Sequence, residues 1–280
     1  MRAVRNLETV NKGIAVDNLE EIHLVKLLNF YVEGGYQNSY INHEFTNLRT
    51  FFNYIHLNIV DVDKRVANFR PGLKSVKKTV TYLEDEELKR FFSYDFKEEE
   101  ALYGKVRDMF CFMAGTSLRY SDMQNLDWSN VKDGCIDIII PKTSQTLRFP
   151  LTDMAKRILE KYSGQGQGKV FPRISDQKMN AYLKQAAKIV GLDREVVGTG
   201  ISGSTKTPKV QKIYETITSH DARRTFVVYG LSVGIAPNVI MKFTGHATYE
   251  SMKPYISVTS KAALDAVKTM NKVFLSLIHI

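Results

Sequence analysis

The chain has 280 residues, 44% of them hydrophobic, which suits one large or two smaller domains with a proper core. Lys and Arg number 39 against 30 Asp and Glu, a net charge of +9 with no single basic tail, and this modestly favours a polyanionic partner. No apolar run reaches the length that spans a bilayer, and the N-terminus lacks a signal-peptide pattern. Cys111 and Cys135 sit in or beside apolar runs and read as buried thiols of a reducing, cytoplasmic compartment.

Residues 1–16 lack a clear period. Residues 17–33 place Leu19, Ile22, Leu24, Val25, Leu28 and Tyr31 at helical spacing, and Gly34-Gly35 ends the run. A second helix is expected over 38–57, with Phe45, Leu48, Phe51, Phe52, Tyr54 and Ile55 apolar. Together these read as a small helical bundle. Arg49, Lys64, Arg65 and Arg70 are available for phosphates, or are ordinary solvated charges. Residues 69–81 form the best linker, with Pro-Gly and three lysines, Lys74, Lys77 and Lys78. Its basic character suits a segment that crosses nucleic acid. Residues 82–92 open a helix with acidic residues in its first turn, favourable to the helix dipole, and the domain boundary is placed near residue 80.

Residues 106–114 are a strongly apolar helix broken by Gly115-Thr116-Ser117-Leu118. Arg119 starts the next helix, with Asp122 three residues on and Leu126 and Trp128 on its inner side. An arginine led in by an apolar helix needs an anionic partner, and at a helix N-terminus it is opposed by the dipole unless an anion binds. Residues 135–140 read as a strand, 141–145 as a turn carrying Lys142, and 147–150 as the return strand. Two helical patterns lie between 152 and 191. Residues 194–214, rich in Gly, Ser, Thr and Lys, read as a mobile loop or irregular hairpin over the site. Lys206 and Lys209 there are nucleic-acid contacts or merely keep the loop soluble.

The stretch 218–258 carries the chemistry. His220 and Arg223 share a helix face, Gly245-His246 follows an apolar helical pattern, and Tyr255 comes nine residues after His246. Arg224 is set aside because only Arg223 lies three from His220. No carboxylate or cysteine stands at metal-ligand spacing, so no metal is expected. The order His-x-x-Arg, Gly-His, Tyr resembles the tyrosine recombinase (phage integrase) family, of the mobile-element integrase type. The turn before Arg119, with Asp122 as its brace, resembles that family's first arginine box. Lys142 takes the place of its hairpin lysine, with Lys132 and Lys169 fitting less well. Ser117 stands where Gly is usual, Thr244 where Leu is common, and Arg224 where many members have His.

The resemblance implies a mainly α fold with a small β-sheet (α+β). A helical, SAM-like core-binding domain with its linker would occupy 1–80, and a catalytic domain with a C-terminal tail helix 81–280. The apolar pattern of 260–274 suits that tail, which in the family often docks on a neighbouring protomer. In such a site Arg119 and Arg223 clamp phosphate oxygens, and His220 and His246 donate hydrogen bonds or act as base. Tyr255 is the nucleophile, its phenolate favoured by nearby cations, and Lys142 is the general acid. The resemblance further implies a 3′-phosphotyrosyl intermediate and a Holliday junction. It implies double-stranded DNA as partner, a homotetramer on two recombining sites, no metal, no ATP and no membrane, in the bacterial nucleoid. Two other readings remain open on sequence: DNA relaxation of the type IB topoisomerase kind, and a DNA-binding protein without catalysis.

Overall fold

The computed structural model describes residues 2–76, 80–140, 145–164, 168–246 and 248–256. The chain divides into two compact units, one of residues 1–79 with 197–210, the other of residues 80–196 with 211–280. Both units are mainly helical, with two small antiparallel sheets.

The first unit opens with α1 (Arg2–Val10), α2 (Glu21–Glu33), α3 (Asn38–Asn58) and the short α4 (Lys64–Ala67). Helix α1 departs from the sequence expectation. It spans only nine residues, so only Ala3 and Leu7 mark its inner face, and packing against α2 and α3 supplies what periodicity lacks. Asn6 Nδ2 donates to Tyr31 Oη across that contact at 2.9 Å. Helix α2 begins at Glu21, later than expected, because residues 16–18 form a separate 3-10 turn and His23 Nδ1 accepts the Glu20 N–H at 3.0 Å. Leu24, Leu27, Tyr31, Ile41, Phe45, Leu48 and Phe52 fill the core between α2 and α3.

The second unit is built on α6 (Ala101–Thr116), preceded by α5 (Asp85–Ser93) and followed by α7 (Tyr120–Asn125). From Val106 to Thr116 every residue of α6 is buried, and α8 (Asp153–Tyr162), α9 (Asp176–Ile189) and α11 (Ser219–Ser232) pack around it. A helix apolar on all sides must lie at the centre of its unit. The two charges it carries there are answered. Arg107 donates to the Phe92 carbonyl at 2.9 Å and to Asp108 at 2.6 Å, while Lys161 and Tyr162 donate to Asp108. Strands β1 (Val131–Lys132), β2 (Cys135–Ile140) and β3 (Gln145–Pro150) form an antiparallel sheet in that order, with Ile136 opposite Phe149 and Ile140 opposite Gln145. Helix α7 is shorter than the sequence suggests: Leu126 is buried just past its end, and Trp128 begins a separate 3-10 turn.

Strands β4 (Glu195–Ser202) and β5 (Thr205–Lys212) form a regular hairpin, where the sequence suggests a mobile loop or an irregular hairpin, closed by the two-residue turn Gly203-Ser204. Gly203 takes φ +56, a left-handed value that glycine reaches without strain. Residues 197–210 group with the first unit. Within that unit Asn38, fully buried, brackets the turn: its Oδ1 accepts from Gly203 N at 2.7 Å and its Nδ2 donates to Gly203 O at 2.8 Å. Gln37 Oε1 accepts from Ile201 N at 2.8 Å. After α10 (Ile213–Thr216) and α11 come α12 (Pro237–Thr244) and α13 (Lys253–Ile256). The rings of Phe149, Phe243 and Phe226 meet in tilted contacts, one after the other, and seat α12 against β3 and α11.

Candidate active site

Four local features set the site, all in the second unit. Ser117 caps α6 in the left-handed conformation, φ 61, and so reverses the chain into Arg119. A non-glycine residue there costs about 1–2 kcal/mol. Ser117 Oγ donates to the Phe243 carbonyl at 3.0 Å, which offsets part of that strain. The second feature is the N-terminus of α11. Asp221, almost fully buried, accepts from Thr218 N at 2.7 Å and Thr218 Oγ1 at 2.8 Å, a capping box that fixes where the helix starts. Ser219 N also donates to Asn180 of α9 at 2.7 Å. Third, Gly245 ends α12 at φ 60, the left-handed C-terminal position that glycine favours, and turns the chain into His246. Finally, α13 lies on α11 and buries Tyr255 among Val227, Val228, Leu231, Ile240 and Met252.

Arg223 sits at the centre and is 3% exposed. Its Nη1 donates to the Ser117 carbonyl at 2.9 Å, its Nη2 to the Thr244 carbonyl, and Nη2 also lies 3.3 Å from His246 Nε2. It thereby ties the end of α6 to the end of α12. Arg224 turns the other way and donates to Asp221 Oδ1 at 2.7 Å. Arg119, at the N-terminal cap of α7, is half-buried, and Asp122 lies 3.7 Å away, at the loose end of ion-pairing distance. His220 is exposed on the first turn of α11. His246 is half-buried and held at Nδ1 by Thr244 Oγ1 at 2.8 Å.

Positive charge dominates the electrostatics. Burial and then the neighbouring Arg119 lower the Arg223 guanidinium to about 10, with Tyr255 and Asp122 near enough to oppose them. Burial, Arg223, Arg119 and His220 push His246 down to about 4. Desolvation and then Arg224 lower His220. Among the described residues no carboxylate makes an ion pair with Arg223, and no group of His, Cys, Asp and Glu is arranged to hold a metal ion. A buried guanidinium satisfied by carbonyls, beside a second arginine and two neutral imidazoles, leaves positive charge that an incoming anion would balance.

Of the residues singled out in the sequence, Arg119, Asp122, His220, Arg223, His246 and Tyr255 come together here. Lys142 lies outside the described residues, as do Lys77, Lys78 and the expected tail helix over 260–274. Arg49 on α3 is half-buried, Lys74 is exposed, and Lys206 and Lys209 are exposed on β5, all four in the first unit. Ser117, Thr244 and Asp221 are the residues whose part the sequence reading missed. The first two were visible only as departures from a family pattern, and Asp221 as the fourth residue of Thr218-Ser219-His220-Asp221 before an apolar run.

Residues 81–262 match the model of the phage integrase family, about two thirds of the chain. The chain belongs to the phage integrase family. It is a tyrosine-type site-specific recombinase. Among solved structures, the chain is similar in fold to residues 75–356 of lambda integrase, a dimer bound to a COC′ core site. That match has 16% identity and a TM-score of 0.66, and covers 91% of this chain and 87% of that one. It is similar to the Tn1549 transposon integrase in complex with transposon right-end DNA, at 16% identity and TM-score 0.67, covering 95% and 92%. A third match is the XerH recombinase bound to a palindromic difH substrate, at 16% identity and TM-score 0.62, covering 94% and 76%. No curated protein sequence matches the chain. Among the described residues no helix is long and apolar enough to cross a membrane.

Proposed function

We propose that this integrase cleaves and rejoins double-stranded DNA through a 3′-phosphotyrosyl intermediate on Tyr255. The observation that carries the reading is the unbalanced positive charge around Arg223. Arg119 and Arg223 are aimed by Ser117, Thr244 and Asp122, yet no carboxylate pairs with the buried guanidinium among the described residues. A phosphodiester fits that charge, and its non-bridging oxygens gain charge as an oxygen attacks. The Arg223 guanidinium, lowered only to about 10, stays protonated at neutral pH.

Tyr255 supplies the attacking oxygen and Lys142 the proton for the leaving 5′-oxygen. His220 and His246, both lowered and so neutral near pH 7, serve as hydrogen-bond partners or base. The phosphotyrosyl ester conserves the energy of the broken linkage, so strand exchange needs no nucleotide cofactor. A 5′-hydroxyl from a partner duplex reverses the attack, and two rounds through a Holliday junction complete recombination by four protomers on two sites. Residues 1–80 form the core-binding domain and linker, and 81–280 the catalytic domain. Arg49, Lys74, Lys77, Lys78, Lys206 and Lys209 contact DNA phosphates outside the catalytic pocket.

The test uses nicked suicide duplexes, drawn from a pool of sites flanking the gene, with wild type and Tyr255→Phe in the presence of EDTA. A denaturant-resistant adduct that requires Tyr255 supports the reading. An adduct that persists in Tyr255→Phe places the nucleophile elsewhere. Adduct formation with relaxation but no joint molecules would favour the topoisomerase reaction instead.

A further inference from the structure

We propose that Thr244 is a positioning residue, whose hydroxyl holds His246 in the Nδ1-protonated tautomer and leaves Nε2 as the nitrogen that titrates when a phosphate enters. The proposal rests on the reading of His246 as a site residue, but two independent geometric facts carry it.

The first is the proton count at Thr244. A hydroxyl has one hydrogen to give. Thr244 Oγ1 lies 2.9 Å from the Ile240 carbonyl and 3.3 Å from that of Met241, the back-bond of a helical threonine, and its hydrogen goes there. His246 Nδ1 lies 2.8 Å from the same oxygen, so the hydrogen between them belongs to the imidazole. The second fact lies at the other end of the ring. Arg223 Nη2 stands 3.3 Å from His246 Nε2, and a guanidinium only donates. Nε2 is therefore the acceptor, and a proton on it would face the N–H of a fixed cation. Both ends demand the same tautomer.

The anchor is rigid. Thr244 is fully buried at the last position of α12, and left-handed Gly245 sets the path from it to the imidazole. Leucine, common at this place in the pattern that the sequence resembles, has no atom that could receive the Nδ1 hydrogen.

The consequence concerns proton movement. In the DNA-free protein His246 is faced by Arg119 and Arg223 and by His220, with Asp122 and Tyr255 acting on the same cluster, and the balance keeps Nε2 unprotonated. A phosphate anion offsets the two guanidinium charges. Nε2 then takes a proton from solvent and becomes a donor to a phosphate oxygen, while Nδ1–H stays on Thr244. Thr244 thus serves both protonation states without moving, and the pocket binds its anion together with a proton.

The experiment compares wild type, Thr244→Val and Thr244→Ser, each full-length. Long-range proton–nitrogen correlation spectra of the DNA-free protein read the His246 tautomer at pH 7. Wild type and Thr244→Ser are expected to be protonated at Nδ1, and Thr244→Val to lose that signature. On whichever nicked duplex the wild type cleaves, single-turnover rates from pH 5 to 9 should fall about tenfold or more in Thr244→Val, the usual loss when the group behind a working histidine is removed. The pH profile should change with it, and Thr244→Ser should recover most of the rate. An Nε2-protonated wild type overturns the proposal. So does a Thr244→Val pH profile that matches wild type, or a Thr244→Ser as impaired as Thr244→Val. Should Thr244→Val fail to fold, the wild-type spectrum and Thr244→Ser decide. A correct tautomer in a protein that forms no Tyr255 adduct would count against the cleavage chemistry, not against the role of Thr244.

Discussion

Replacing Arg223 by lysine separates charge from geometry. The guanidinium spans the carbonyls of Ser117, 2.9 Å from Nη1, and Thr244, and still faces His246 Nε2 at 3.3 Å. A lysine keeps the positive charge but has a single nitrogen, which cannot reach both carbonyls and also meet a phosphate oxygen. One preorganised donor to the developing charge is lost, a change that typically costs about 10²–10³ in rate, about 2.7–4 kcal/mol. Arg119 remains as a second clamp, so the lower end applies, about 100-fold. DNA affinity, set mostly by phosphate contacts spread over the protein, should change by less than about threefold. The vacated buried carbonyl costs about 1–3 kcal/mol of stability, readable by urea denaturation. Single-turnover adduct formation at saturating protein, with binding measured separately by anisotropy, gives the two effects. An Arg223→Lys variant that cleaves within tenfold of wild type would refute the reasoning, as would a loss that disappears at saturating protein.

Ser117→Ala should lower stability by about 1 kcal/mol, because the hydrogen bond to the Phe243 carbonyl goes while the left-handed backbone stays. Ser117→Gly should be closer to neutral, since relief of about 1 kcal/mol of strain offsets the lost bond; urea denaturation separates the two. Asp221→Ala should cost about 3 kcal/mol by the same assay, removing the capping box of α11 and leaving Arg224 unpaired. His246 titrates near 4 when folded against about 6.5 when unfolded, so the unfolded chain binds the extra proton first. Its contribution to stability is full above about pH 6.5 and is lost as the pH falls toward 4. His246→Gln should therefore flatten the acid limb of stability between pH 6.5 and 4, measured by denaturation at closely spaced pH values.

The helices that carry long apolar runs were legible in the sequence, and so was the grouping of the catalytic candidates. Residues 106–114 are apolar enough to be read as a helix, though it runs from Ala101 through the expected break to Thr116, and His220 and Arg223 fall on one helix because three residues is nearly one turn. Helix α1 was not legible, because two inward residues in nine make no period; the surfaces of α2 and α3 define it. That residues 195–212 form a regular hairpin, where a mobile loop or irregular hairpin is expected, was not legible for a related reason. Its strands are mostly exposed, so alternation is faint, and what orders the turn is Asn38, more than 160 residues away in the chain. Arg223 was found by register, but nothing local revealed that backbone carbonyls would satisfy it.

That choice of partner explains the pattern of departures. A buried arginine paired with a carboxylate would already be neutralised, and its affinity for a phosphate would be correspondingly weak. Holding it with two carbonyls supplies direction without cancelling charge. The carbonyls must then be aimed, and both come from chain reversals: Ser117 in a left-handed cap, and Thr244 just before left-handed Gly245. Each of these residues also uses its side chain locally, Ser117 on the Phe243 carbonyl and Thr244 on His246. The strained cap and the buried hydroxyl are thus parts of one arrangement, in which helix ends, rather than an acidic side chain, hold the buried Arg223 guanidinium.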